Sequence, residues 1–106
     1  MLEVGIWVPN LFHFAVVEAA VRACGATPRR LSGGEGPLPQ VVVVDLEAVD
    51  PEAVLALTHQ GVQVLAFGPH GESSSWARLR QAGVVVLAKS TFFRDLPALL
   101  EVYLNP

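Results

Sequence analysis

Short apolar runs alternate along this chain with stretches in which apolar residues recur every three or four positions. Val4 to Val8 (VGIWV) predicts a strand, closed by Pro9-Asn10. Leu11 to Cys24 predicts a helix, because Phe14, Val17, Val21 and Cys24 form one stripe. Glu18 and Arg22 add a favourable i,i+4 pair, and Gly25 suits a left-handed stop. Thr27 to Leu31 is a short strand whose Pro28 points to a sheet edge. Ser32 to Gln40 (SGGEGPLPQ) has loop chemistry throughout. Val41 to Asp45 carries the strongest strand signal, since four consecutive valines need cover on both faces.

The second half repeats the alternation. Asp50-Pro51-Glu52 is a helix start, with Asp as N-cap and Pro at the first helical position. That helix runs to about Gln60 and stops at Gly61. Val62 to Phe67 is a strand, followed by a Gly68-Pro69-His70-Gly71 loop. Ser73 to Ser75 offer caps for a short helix through Ala82, with Trp76, Leu79 and Ala82 facing inward and Gly83 as its stop. Val84 to Ala88 is a fifth strand. A last helix is expected over Asp95 to Leu104, with Pro97 in its first turn and Leu96, Leu99, Leu100 and Tyr103 inward. Strands alternating with helices predict an α/β fold: a parallel sheet, right-handed crossovers and helices on both faces.

Composition narrows the function classes. The 106 residues are one domain's worth, spanning 1–106. Hydrophobic residues make up 52%, which excludes a disordered chain. Net charge is −3, so there is no basic stripe to displace counterions from nucleic acid and no polybasic membrane anchor. No apolar run reaches the ~18 residues that a membrane span requires. The single cysteine, Cys24, makes neither an internal disulfide nor a thiolate metal site and is expected as a small buried hydrophobe. A cytoplasmic protein is the resulting expectation. His13, His59 and His70 show no ligand spacing, so solvated or capping roles are expected of them.

In an open parallel sheet, chemistry gathers at the carboxyl ends of the strands. Those ends hold Pro9 and Asn10, then Asp45 and Glu47, then Ala66, Phe67 and Gly68, then Lys89 and Ser90. Lys89 is the only lysine, against six arginines. At this point the chain resembles the receiver domain of bacterial response regulators, over nearly its whole length. VVVVDLE matches the strand that ends in the phospho-accepting aspartate, at Asp45. VVVLAKS matches the strand that ends in the phosphoryl-contacting lysine, at Lys89. The resemblance implies a three-layer flavodoxin/CheY-like fold with sheet order 2-1-3-4-5. The second helix is then short or missing, because loop residues stand in its place.

The departures from that pattern shape the functional expectation. Receivers carry an acidic Mg²⁺-binding pair after the first strand, where this chain has Pro9 and Asn10. A cation site from Asn10, Asp45 and Glu47 is a weak one, since amides are poorer ligands than carboxylates for a hard cation. The hydroxyl expected at the end of the fourth strand is replaced by Ala66 or Phe67. The resemblance therefore implies a non-catalytic pseudo-receiver that needs no cofactor and has Asp45 tied to Lys89. It would act on a protein partner, with a homodimer through Phe92, Phe93, Leu100 and Tyr103 expected. Two alternatives stay open. One is a phospho-accepting receiver using Asp45 with Mg²⁺, and the other a small-ligand binder of flavodoxin-like topology.

Overall fold

The computed structural model describes residues 2–34, 36–69 and 74–105. Five strands, β1 (Glu3–Trp7), β2 (Thr27–Arg30), β3 (Val41–Asp45), β4 (Gln63–Gly68) and β5 (Val85–Ala88), form one sheet. Its order is β2-β1-β3-β4-β5 and every neighbouring pair is parallel. Four helices accompany it: α1 (Leu11–Ala23), α2 (Pro51–His59), α3 (Ser74–Gln81) and α4 (Lys89–Leu104). No helix is long and apolar enough to cross a membrane among the described residues.

Side-chain alternation along β3 divides the core in two. Val41 and Val43 point to one face, with Ile6, Leu65 and Phe67, and are covered by α1 and α4. Val42 and Val44 point to the other, with Val64 and Ala66, and are covered by α2 and α3. All four valines are at most 3% exposed, so the continuous apolar run reflects burial on both sides. The predicted stops also appear: Gly25 takes φ 81° after α1, and Gly61 and Gly83 close α2 and α3 in the same left-handed way.

Between β2 and β3 no helix forms among the described residues, and the chain itself covers the bare sheet face. Leu31 folds back onto β1, where a Cβ on Gly5 would sit 2.6 Å from its Cδ1. Glycine at position 5 thus makes room for a side chain that stands in for a helix. Arg29 ties the cover down, donating to Glu3 Oε1 at 3.3 Å and to the carbonyl of Pro37.

Several expectations need correcting. The last helix begins at Lys89, six residues before Asp95, so Pro97 lies well inside it. Phe92, Leu96, Leu100 and Leu104 are buried at four-residue spacing, and this longer stripe holds the extra turns against the sheet. Pro97 faces outward; it removes the N–H that would bond the Phe93 carbonyl, a cost that burial of this stripe offsets. Ala82 is exposed rather than inward, because α3 ends at Gln81. Cys24 is only half-buried, being the residue that ends α1. His70 and Ser73 lie outside the described residues.

Candidate functional site at the carboxyl edge of the sheet

Asp45 is the one buried charged residue among those described, at 6% exposure. Its backbone is fixed by β3, and its carboxylate turns onto the loop that follows. Oδ1 accepts the backbone N–H of Glu47 at 2.9 Å. The main-chain carbonyl of Asp45 accepts from Ala48 and Val49, at 3.1 and 3.0 Å. Asp45 therefore organises the turn leading to Asp50, which caps α2 by accepting from Glu52 N at 2.8 Å.

Lys89 does not tie to Asp45. As the first residue of α4, it reaches across the loop to Glu47, with Nζ 3.9 Å from Oε1. Asp45 is drawn down onto its own turn by the bond from Glu47 N, while the Glu47 side chain, two residues on, extends outward to Lys89. The pair is 41% and 53% exposed, so it contributes at most ~1 kcal/mol. Glu47, Pro69, Ala88, Lys89 and Ser90 line an open cavity of about 350 Å³.

Asn10 is committed elsewhere. It is the N-cap of α1, and its side-chain oxygen accepts from His13 N at 3.0 Å. The set of Asn10, Asp45 and Glu47 does not fit a divalent cation. One oxygen donor caps a helix, one carboxylate bonds a backbone N–H, and the third faces an ammonium. Pro9 adds no side-chain oxygen. Among the described residues, no three His, Cys, Asp or Glu side chains gather as a metal site.

Beside Asp45 in the sheet stands Phe67, paired with it in the β3–β4 register. Its ring is 1% exposed and lies 5.0 Å from Phe92 and 4.9 Å from Phe93, between centroids. His13 completes this cluster, edge-on to Phe67 at 5.9 Å and tilted against Phe93 at 5.4 Å. Its Nδ1 is buried without a hydrogen-bond partner. His13 is thus a half-buried ring rather than a solvated one, a placement that helical spacing alone did not reveal. The signal available was Phe92-Phe93 opposite a strand ending in Phe67.

The four residues expected at an interface on the last helix divide between core and partial cover. Phe92 and Leu100 are fully buried, and Phe93 and Tyr103 are half-buried against the same core. Only Val102 on that helix is an open large apolar side chain, at 61%. The exposed apolar surface lies instead on α1, where Leu11 is 73%, Phe12 85% and Val16 49% exposed.

No protein-family model and no curated protein matches the chain. Solved structures do. The BeF3-activated receiver domain of DrrB matches with a TM-score of 0.82 at 15% identity, covering 100% of this chain and 99% of that one. A CheY-like receiver domain protein from Methanospirillum hungatei JF-1 matches at 0.83 and 12% identity, covering 99% and 94%. Response regulator DrrB of Thermotoga maritima, an OmpR/PhoB homolog, matches at 0.80 and 15% identity, and there the chain spans only 52% of its relative's length. The fold is that of response-regulator receiver (CheY-like) domains.

Proposed function

We propose that this chain is a receiver-like regulatory module that works through protein–protein contact, as a cytoplasmic homodimer, without phosphorylation or other catalysis. The observation that carries this reading is the commitment of Asp45. Its carboxylate is buried and bonded to Glu47 N, and among the described residues no group of carboxylates gathers around it to hold a cation. A phosphoryl group there would stand two residues from Glu47, whose carboxylate already pairs with Lys89, and without Mg²⁺ its charge would go largely uncompensated. Neither Ala66 nor Phe67, near the end of β4, carries the hydroxyl that the resemblance to receivers calls for there.

The alternative, phospho-acceptance on Asp45, draws on the position of Asp45 and Lys89 at the ends of β3 and β5. One experiment separates the two. The chain and its Asp45→Asn variant are incubated with acetyl phosphate and Mg²⁺ and weighed by intact-mass spectrometry. The expected result is no phosphoryl mass gain in either. A gain in the parent chain that Asp45→Asn abolishes would overturn the proposal.

A further inference from the structure

Helix α1 is apolar on both of its faces. Phe14, Val17 and Val21 face the sheet. At 100° per residue, Phe12, Ala15, Val16, Ala19 and Ala23 fall on the opposite side, and all five are exposed. The helix carries two charged residues, Glu18 and Arg22, which lie to one flank and pair with each other at 3.8 Å. A helix that is hydrophobic all round is ordinarily buried all round. The outward stripe of α1 is therefore a face without its partner.

The stripe has a shape that a second copy of itself fits. Its amino-terminal half is bulky, with Phe12 and Val16, and its carboxyl-terminal half is small, with Ala19 and Ala23. In an antiparallel two-fold pair, residues whose numbers sum to the same value face each other. Setting Phe12 against Ala23 sets Val16 against Ala19, so large meets small at each step. Alanines at these positions allow the close helix approach of about 8 Å. A two-fold contact needs such self-complementarity, and the internally neutral Glu18–Arg22 pair opposes no second copy. Phe12, Leu11, Val16 and the alanines offer on the order of 500 Å² per copy, so a pair buries roughly 1,000 Å², the lower bound for a specific interface.

We infer that the outer face of α1, centred on Phe12, Val16 and Ala19, is the surface through which two copies of this chain associate antiparallel. The inference rests on the homodimer reading above and replaces the last helix as the site of contact.

Sedimentation velocity over concentrations up to about 1 mM tests it. The parent chain is expected to shift from monomer to dimer. Phe12→Glu, at a side chain too exposed to disturb folding, should weaken association at least about tenfold, whereas Val102→Glu on α4 should leave it unchanged. Val16→Cys combined with Ala19→Cys, in a Cys24→Ser background, should form intermolecular disulfides, because the antiparallel pairing sets position 16 of one copy against position 19 of the other. A dimer that Phe12→Glu leaves intact, or that Val102→Glu abolishes, would place the contact elsewhere and leave the homodimer reading standing. A chain that stays monomeric throughout, with no intermolecular disulfide between positions 16 and 19, would overturn both.

Discussion

Phe67→Ala tests whether the position beside Asp45 belongs to the core rather than to a switch. Phe67 is 1% exposed and touches three other rings, at centroid distances of 4.9, 5.0 and 5.9 Å. Truncating a buried Phe costs about 3–5 kcal/mol, through lost transfer energy and the cavity left behind. Each well-placed ring pair adds about 0.5–1.5 kcal/mol beyond area. We expect a loss near the upper end, about 4–5 kcal/mol. Urea unfolding followed by tryptophan fluorescence suits the measurement, since Trp7 and Trp76 belong to the opposite face of the sheet. With a slope of ~1–3 kcal/mol per molar urea, the midpoint should fall by roughly 2 M. A cycle with His13→Ala should show a coupling of about 0.5–1.5 kcal/mol. A loss below about 1.5 kcal/mol from Phe67→Ala alone would refute the reading, because it would mean that the ring is free to leave its site.

Three further outcomes follow from particular contacts. Asn10→Ala should lower stability by about 1 kcal/mol through loss of the α1 cap, while Asn10→Asp should keep it, as chemical denaturation can report. Gly5→Ala should cost ~1–2 kcal/mol, because the new methyl meets Leu31 at 2.6 Å and Val42 at 3.1 Å. Combining it with Leu31→Ala should cost less than the sum of the two, and strict additivity would argue against Leu31 as the cover of β1. Arg94 donates two hydrogen bonds to Asp95, which hold that exposed carboxyl below the usual carboxylate range. The small stability this brings is present above the ordinary carboxylate pKa and is lost as pH falls through the lowered one. An NMR titration should find the Asp95 pKa rising in Arg94→Gln, and no change would contradict the pairing.

The sheet is legible in the sequence because each central strand is apolar on both faces and each helix is punctuated by a cap or a glycine. Val41 to Val44, Asp50-Pro51, Gly25 and Gly61 all act as their local chemistry predicts. The start of α4 is not legible from Pro97, since the buried stripe outweighs the backbone bond that an interior proline removes. The stripe of Phe92, Leu96, Leu100 and Leu104 is the better guide. The partner of Lys89 is hidden for another reason. Strand ends place Asp45 and Lys89 on one edge, but the direction of the Asp45 carboxylate depends on a hydrogen bond to its own turn. The outer face of α1 escapes a reading that seeks only one stripe per helix, because alanine carries little signal until its exposure is known.

The placement of polar groups along the carboxyl edge has a common logic. A phosphoryl switch keeps its oxygens and its ammonium free to regroup around an incoming charge. Here the equivalent groups complete the resting fold: Asn10 caps a helix, Asp45 holds a turn and Lys89 meets Glu47. Regrouping them would break a cap worth about 1 kcal/mol and a charge-assisted bond worth about 1.5–3 kcal/mol. On the proposed reading the edge is biased toward one state, and such a module would transmit by what it binds rather than by what is done to it. Loss of function by mutation should then concentrate on the surface of α1 more than at the carboxylate of Asp45.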